Sequence, residues 1–291
     1  MTHSREGQLS AIARFRALHT SGCFVLPNPW DVGSAVLLKH LGFQAVATTS
    51  AGFAFSQGAP DDVHAVTRDE VLGHLRDIVG ATTLPVNADF QNAYADAPAD
   101  VAANVALCVA TGVAGLSIED ATGDPAAPLY DRDLAMARVR AARAAIDASG
   151  YRVVLTARCE AALVGVPDAT RVALDRLVAF VEAGADCVFA PLMSDPNDIT
   201  TLVRAVAPTP VNVLISAPHP TLTVARLADL GVRRVSVGSA LARVAYGAFL
   251  RAARRLLAEG SFDAFADAAS FAELNAVFVA RGLAAGSLSQ P

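Results

Sequence analysis

Four segments of the chain pass from helix to strand in the same way: Leu41-Gly42-Phe43-Gln44-Ala45-Val46-Ala47, Thr111-Gly112-Val113-Ala114-Gly115-Leu116-Ser117, Ala183-Gly184-Ala185-Asp186-Cys187-Val188-Phe189 and Leu230-Gly231-Val232-Arg233-Arg234-Val235-Ser236. In each, a Gly stands where a helix ends in the left-handed conformation. The apolar run behind it is continuous enough for a strand buried on both faces. Residues 23–27, 85–89, 151–158 and 210–214 supply four more apolar, β-rich runs between these repeats. Ala-, Leu- and Arg-rich stretches such as 68–79 and 132–148 separate the runs and read as helices. Eight strands alternating with helices, at roughly 25–30 residues per unit, predict an α/β fold of the closed (β/α)₈ TIM-barrel type. The rival is an open doubly wound sheet. It calls for a Gly-rich first turn, and Pro27-Asn28-Pro29-Trp30-Asp31 is not one.

The composition agrees with a large core. Of 291 residues, 53% are apolar and 18% charged, and mean hydropathy is +0.40. No Pro/Ser-rich linker divides the chain, so residues 1–291 are expected to form one barrel domain. After the eighth strand, 240–257 and 262–279 read as extra C-terminal helices, with more apolar surface than one barrel position needs. Residues 240–291 are therefore expected to serve as a helical oligomerisation segment. A net charge of −5 with no basic stripe excludes phosphate-backbone binding. The start, MTHSREGQLS, has no apolar core of a secretion signal, and the apolar runs are strand-length, which predicts a cytoplasmic protein with no membrane partner.

Lys39 is the sole lysine, and it lies in an apolar helical segment, 34–41. Schiff-base aldolase and pyridoxal-phosphate chemistry both need an active-site Lys amine, so both are excluded, as is a Walker phosphate loop. Cys23, Cys108, Cys159 and Cys187 each stand alone among apolar residues and read as buried reduced thiols.

The active site of such a barrel forms at the C-terminal strand ends, and chemically useful residues collect there. They are Asn28-Pro29-Trp30-Asp31 after strand 1, Thr48-Thr49-Ser50-Ala51-Gly52 after strand 2, Asn87-Ala88-Asp89 on strand 3 and Glu119-Asp120 on strand 4. Strand 5 ends Arg158-Cys159-Glu160, strand 7 carries Asn212, and strand 8 runs into Gly238-Ser239. Asn87 shares a strand face with Asp89, and Arg158 with Glu160. Asp61, Asp89 and Glu119, from three loops with no nearby Lys, would repel one another in an empty pocket. A hard divalent cation removes that repulsion, and oxygen ligands suit Mg²⁺ or Mn²⁺ better than zinc. Asp31 also reads as a plain helix cap for Ser34, Trp30 as a packing residue at the barrel mouth, and His219 as a loop residue at the catalytic end.

Taken together these motifs resemble the isocitrate lyase/phosphoenolpyruvate mutase superfamily. The resemblance rests on residues 28–35, Thr49-Ser50 with Gly58-Ala59-Pro60-Asp61, and 85–90. It rests further on Gly115-Leu116-Ser117-Ile118-Glu119-Asp120, Ala157-Arg158-Cys159-Glu160-Ala161 and 230–236. It implies a barrel whose last helix is exchanged between subunits of a homodimer or homotetramer, and a Mg²⁺-dependent site for small 2-oxo acids or their enolates. By that resemblance Asp61, Asp89 and Glu119 hold the metal, largely through waters. Backbone N–H groups at Ser50, Ala51 and Gly52 bind an oxyanion or carboxylate, Arg158 takes a substrate carboxylate, and Trp30, Asn87 and Asn212 line the substrate.

Three departures matter. The family lyases carry a Lys- and Cys-bearing stretch on the loop after strand 4, whereas this chain has Ala121-Thr122-Gly123-Asp124-Pro125-Ala126-Ala127-Pro128-Leu129-Tyr130, leaving Tyr130 as the candidate proton donor. The phosphonate mutase has a His after strand 6, where Ala190-Pro191 stands here. Asn87 occupies a position usually held by a metal-touching Asp. The expected function is a Mg²⁺-dependent carbon–carbon lyase acting on a small 2-oxo or 2-hydroxy carboxylic acid through a stabilised enolate. The alternatives are a phosphonate P–C bond mutase or hydrolase of the same superfamily, and a non-catalytic 2-oxo acid-binding barrel.

Overall fold

The computed structural model describes residues 4–62 and 65–286, the last six by backbone alone. Eight strands form one sheet: β1 (Phe24–Leu26), β2 (Val46–Ala47), β3 (Val86–Asp89), β4 (Gly115–Glu119), β5 (Val154–Arg158), β6 (Cys187–Phe189), β7 (Val211–Leu214) and β8 (Arg234–Ser236). The order is β1-β8-β7-β6-β5-β4-β3-β2, and every ladder is parallel. Between β1 and β2 the cylinder closes through two hydrogen bonds, Ala47 N–H to Pro27 O (3.0 Å) and Asn28 Nδ2 to Thr48 O (2.8 Å). The (β/α)₈ TIM barrel read from the repeats is the fold observed.

The helices are α1 (Arg5–Leu18), α2 (Val32–His40), α3 (Ser50–Ser56), α4 (Arg68–Ala81), α5 (Pro98–Val109), α6 (Arg132–Ala148), α7 (Ala169–Glu182), α8 (Pro196–Val206), α9 (Val224–Asp229), α10 (Ala240–Glu259) and α11 (Phe271–Gly286). All four repeat glycines have positive φ. At Gly184 (φ +105°) a Cβ would also lie 2.8 Å from Arg143 Cγ, so both conformation and space demand glycine there.

Alternation along the strands decides what the barrel holds. Leu116, Ile118, Leu155, Ala157, Val213 and Val235 point outward and are buried beneath the helices. The other parity turns Asn87, Asp89, Ser117, Thr156, Arg158 and Arg234 inward, so the lumen is polar. One ladder row runs Glu119↔Arg158↔Phe189↔Asn212↔Arg234↔Phe24. Barrel strands tilt by about 36°, so this row descends from the C-terminal rim at Arg158 to the floor at Phe24. There α1 closes the bottom: Phe15 is fully buried beside His19 and Phe24, and Gln8 Nε2 donates to Val109 O and Val113 O.

The tail differs from its reading in one respect. Residues 262–279 are not one helix: a 3₁₀ turn (Asp263–Asp267) is followed by extended Ala268 (ψ 136°), and α11 starts afresh. Ser270 caps the new helix, accepting from Glu273 N–H at 3.2 Å. Residues 287–291 of the expected oligomerisation segment lie outside the described residues. Among the described residues no helix is long and apolar enough to cross a membrane.

Candidate active site

Arg158 occupies the centre of the rim. Its Nη1 lies 2.7 Å from Asp89 Oδ1 and 2.8 Å from Glu119 Oε1, and its Nε 2.9 Å from Glu160 Oε1. Strands β3, β4 and β5 end side by side, which is why carboxyls far apart in sequence meet one guanidinium. The third residue of the row, Phe189, lies beneath it, with the guanidinium carbon 4.9 Å from the ring centre. Nη2 has no acceptor among the described residues.

The second Asp89 oxygen is also engaged: Oδ2 accepts from Ser50 N–H (2.9 Å) and Ser50 Oγ (3.0 Å). Thr49 caps α3 and accepts from Gly52 N–H. The start of α3 is thus tied to Asp89 through Ser50, and the Ser50 amide expected to face an oxyanion faces this carboxylate instead.

Two cavities meet at Arg158. The outer one, about 440 Å³, is lined by Asp61, Gln91, Glu119 and Glu160 beneath the loop that follows β4. The inner one, about 90 Å³, lies in the lumen among Asn87, Asp89, Asn212 and Arg234. Burial pushes Glu119 well above the usual carboxylate range; Arg158 opposes this, while Glu160, Asp89 and Asp61 add to it. Burial likewise raises Glu160 and Asp61. Burial works against the Arg158 cation, but Glu119, Glu160 and Asp89 outweigh it and hold its proton tightly.

The donor chemistry fits a hard cation. When ionised, Asp61, Asp89, Glu119 and Glu160 would carry more negative charge than Arg158 neutralises, and the buried Gln91 Oε1 and Glu160 Oε2 have no hydrogen-bond partner among the described residues. Both residues line the outer cavity. The carboxyls are spread around Arg158 rather than gathered on a point: among the described residues, no three His, Cys, Asp or Glu side chains form a ready metal cluster. Such a site suits Mg²⁺, which keeps several waters and takes only one or two carboxylates directly.

Other expected residues have different neighbours. Tyr130 donates its hydroxyl to Asp96 Oδ1 (2.5 Å) and accepts from Asn92 Nδ2 (3.2 Å), with the Arg138 guanidinium over its ring. Burial, then the Asp96 bond, pushes its hydroxyl up to about 12. It lines neither cavity at Arg158. Trp30 is outside both linings as well; its Cβ packs near Gly52. Asp31 is an N-cap, its side chain accepting from Ser34 N–H at 2.7 Å. Asp120 pairs with Arg176 at 3.0 Å, not with Arg158. His219 accepts from the backbone of its own turn, and Asn28 Oδ1 takes the Gly238 N–H. Asn87 does line the lumen, its buried Oδ1 without a hydrogen-bond partner among the described residues. Asn212 holds Arg234 Nε at 2.8 Å. Sequence reasoning missed Arg234 and Thr156 as lumen residues. The signal was there: both share the inward parity of Ser236 and Arg158 on their strands.

The model of the phosphoenolpyruvate phosphomutase family matches residues 15–257. The chain belongs to that family. A protein of Mycobacterium tuberculosis H37Rv without a described function is 38% identical over 240 residues, covering 82% of this chain and 85% of the relative. The crystal structure of a candidate lyase/mutase of Burkholderia cenocepacia J2315 is 46% identical, with a TM-score of 0.90, covering 94% of this chain and 97% of that one. An oxaloacetate acetylhydrolase structure with the product oxalate is 25% identical, TM-score 0.82, covering 96% and 98%. The superfamily thus contains both lyases and mutases, and it is a family of enzymes. Matched residues 15–257 run from the floor helix through the whole barrel into α10, so they contain every residue of the site.

Proposed function

We propose that this family member is a Mg²⁺-dependent carbon–carbon lyase acting on a small 2-oxo or 2-hydroxy carboxylic acid. The observation that carries the reading is Arg158, held among Asp89, Glu119 and Glu160 where an outer and an inner cavity meet. Arg158 binds the substrate carboxylate through its free Nη2 edge. Ser50 holds Asp89, and with it the start of α3, in register with the rim. Glu119, poised high by burial, carries or releases a proton at its carboxyl oxygen as the substrate enters the outer cavity. Asp61, Asp89 and Glu119 would hold Mg²⁺, with Mn²⁺ as the alternative ion. When bound, that ion supplies Lewis-acid stabilisation of negative charge developing on the substrate oxygen.

The wider reading is a cytoplasmic homo-oligomer, a dimer or tetramer, built from one barrel domain with 240–291 as its association segment. Exposed apolar side chains on the tail support it: Leu257 is 91% exposed, Phe271 89% and Phe249 67%.

The test is a turnover panel on the purified chain with Mg²⁺, following pyruvate, glyoxylate or succinate release from 2-hydroxy and 2-oxo acids, and phosphonopyruvate consumption alongside. Carbon–carbon cleavage supports the proposal. Phosphonopyruvate turnover alone transfers the chain to P–C chemistry. The absence of Lys and Cys from the loop after β4, with Tyr130 engaged by Asp96, favours one rival, a non-catalytic binding barrel. Binding of 2-oxo acids with no turnover on the whole panel would establish it.

A further inference from the structure

Arg158 has three carboxylate partners, whereas Arg234, three strand steps along the same ladder row, has none among the described residues. Arg234 is 2% exposed. Its partners are neutral: Nε donates to Asn212 Oδ1 (2.8 Å), Nη2 to Thr156 Oγ1 (3.0 Å), and Nη1 stands 3.5 Å from His19 Nε2. Burial, then Arg234 itself, drives the His19 imidazole down to about 3, so it stays neutral. A guanidinium carries five N–H donors, so two of them have no acceptor among the described residues.

A fully buried cation without a counter-charge is costly, and an anion placed beside it would offset that cost. Arg234 lines the inner cavity together with Arg158. The sole carboxylate in that lining, Asp89, already serves Arg158 and Ser50. At about 4.8 Å per strand and a tilt of about 36°, three steps place the Arg234 backbone about 8 Å below the Arg158 backbone along the barrel axis. Both side chains reach into the space between. The cavity of about 90 Å³ admits a carboxylate and little more.

We infer that Arg234 is a second anion subsite, receiving the far carboxylate of a dicarboxylic 2-oxo or 2-hydroxy acid whose near end sits at the Arg158 rim. The inference rests on the proposed function and narrows it: the acid carries two carboxylates, one at each arginine. Asn212 and Thr156 act as positioning residues that aim the guanidinium upward, and Ser236 steadies Asn212 through a 2.9 Å hydrogen bond.

The test is calorimetric titration of the full chain with Mg²⁺, using malate and lactate, 2-hydroxy acids that differ by the far carboxylate. Malate is expected to bind about 10- to 100-fold more tightly, the range of a buried charge-assisted contact. Arg234→Gln should bring the malate-to-lactate ratio close to one. Should that variant fail to fold, Asn212→Asp serves instead, because it sets a carboxylate on Arg234 Nε with little change in shape and should abolish the same ratio. Equal binding of the two acids to the native chain, or a ratio that survives Asn212→Asp, overturns the subsite and leaves the proposed function standing. Binding of neither acid overturns both.

Discussion

Ser50 and Asp89 are joined by two hydrogen bonds to a single oxygen: Asp89 Oδ2 accepts the Ser50 amide at 2.9 Å and its hydroxyl at 3.0 Å. The other oxygen of that carboxylate faces Arg158. One aspartate therefore sets the position of α3 relative to the arginine at the centre of the rim. This linkage couples Ser50, Asp89 and Arg158, so single substitutions there should be felt as charge imbalance.

Arg158→Gln leaves Asp89, Glu119 and Glu160 without their shared counter-charge. Removing one partner from a buried ion pair costs about 3–5 kcal/mol. The loss should be larger at pH 7 than at pH 5, because acid protonates the orphaned carboxyls. Urea unfolding at the two pH values measures it, and an equal loss at both would contradict the assignment.

The raised carboxyls also set the pH dependence of the native chain. Glu119 and Glu160 keep protons in the folded state that the unfolded chain has already released. Stability should therefore be complete below the ordinary carboxylate range and decline as pH rises from there toward the folded values. Within that window each such carboxyl contributes about 1.4 kcal/mol per pH unit. A cation among these oxygens displaces the protons, so millimolar Mg²⁺ should raise the melting temperature more at pH 8 than at pH 6. Equal shifts would argue against ligation by Glu119 and Asp61.

Tyr130→Phe separates a proton donor from a loop anchor. The hydroxyl bonds Asp96 and Asn92, and Arg176 Nη2 donates to the Tyr130 carbonyl at 2.8 Å. The expected result is a stability loss of about 1–2 kcal/mol, with kcat changed by less than about threefold. A collapse of kcat without loss of stability would restore the catalytic role.

Gly115→Ala tests the floor. An added Cβ would lie 2.5 Å from Phe15 Cε1 and 2.6 Å from Asn87 Oδ1. Overpacking of this kind costs about 1–3 kcal/mol. Thermal denaturation should show the loss, and Phe15→Leu in the same chain should recover part of it.

Much of the fold was legible in the chain itself. The four Gly-led repeats located strands β2, β4, β6 and β8, and residues 132–148 were read with the bounds α6 has. Such features are local: a left-handed residue ends a helix, and an apolar run of strand length has few other uses. The reading of 262–279 as one helix failed for an equally local reason, since Ser270 starts a new helix and the turn before it had no strong signal.

The sequence by itself determined which residues reach the rim, because strand parity and the barrel's polarity put Asp89, Glu119 and Arg158 there without knowledge of any contact. Only the tertiary structure decided how they pair. Asp120 finds Arg176 on α7, Glu160 shares Arg158 with Asp89 and Glu119, and Arg234 is left with neutral neighbours. The physical reason is closure with tilt. It carries one ladder row from rim to floor and brings side chains from strands distant in sequence into one small space, where distance and burial, rather than order along the chain, set each partner.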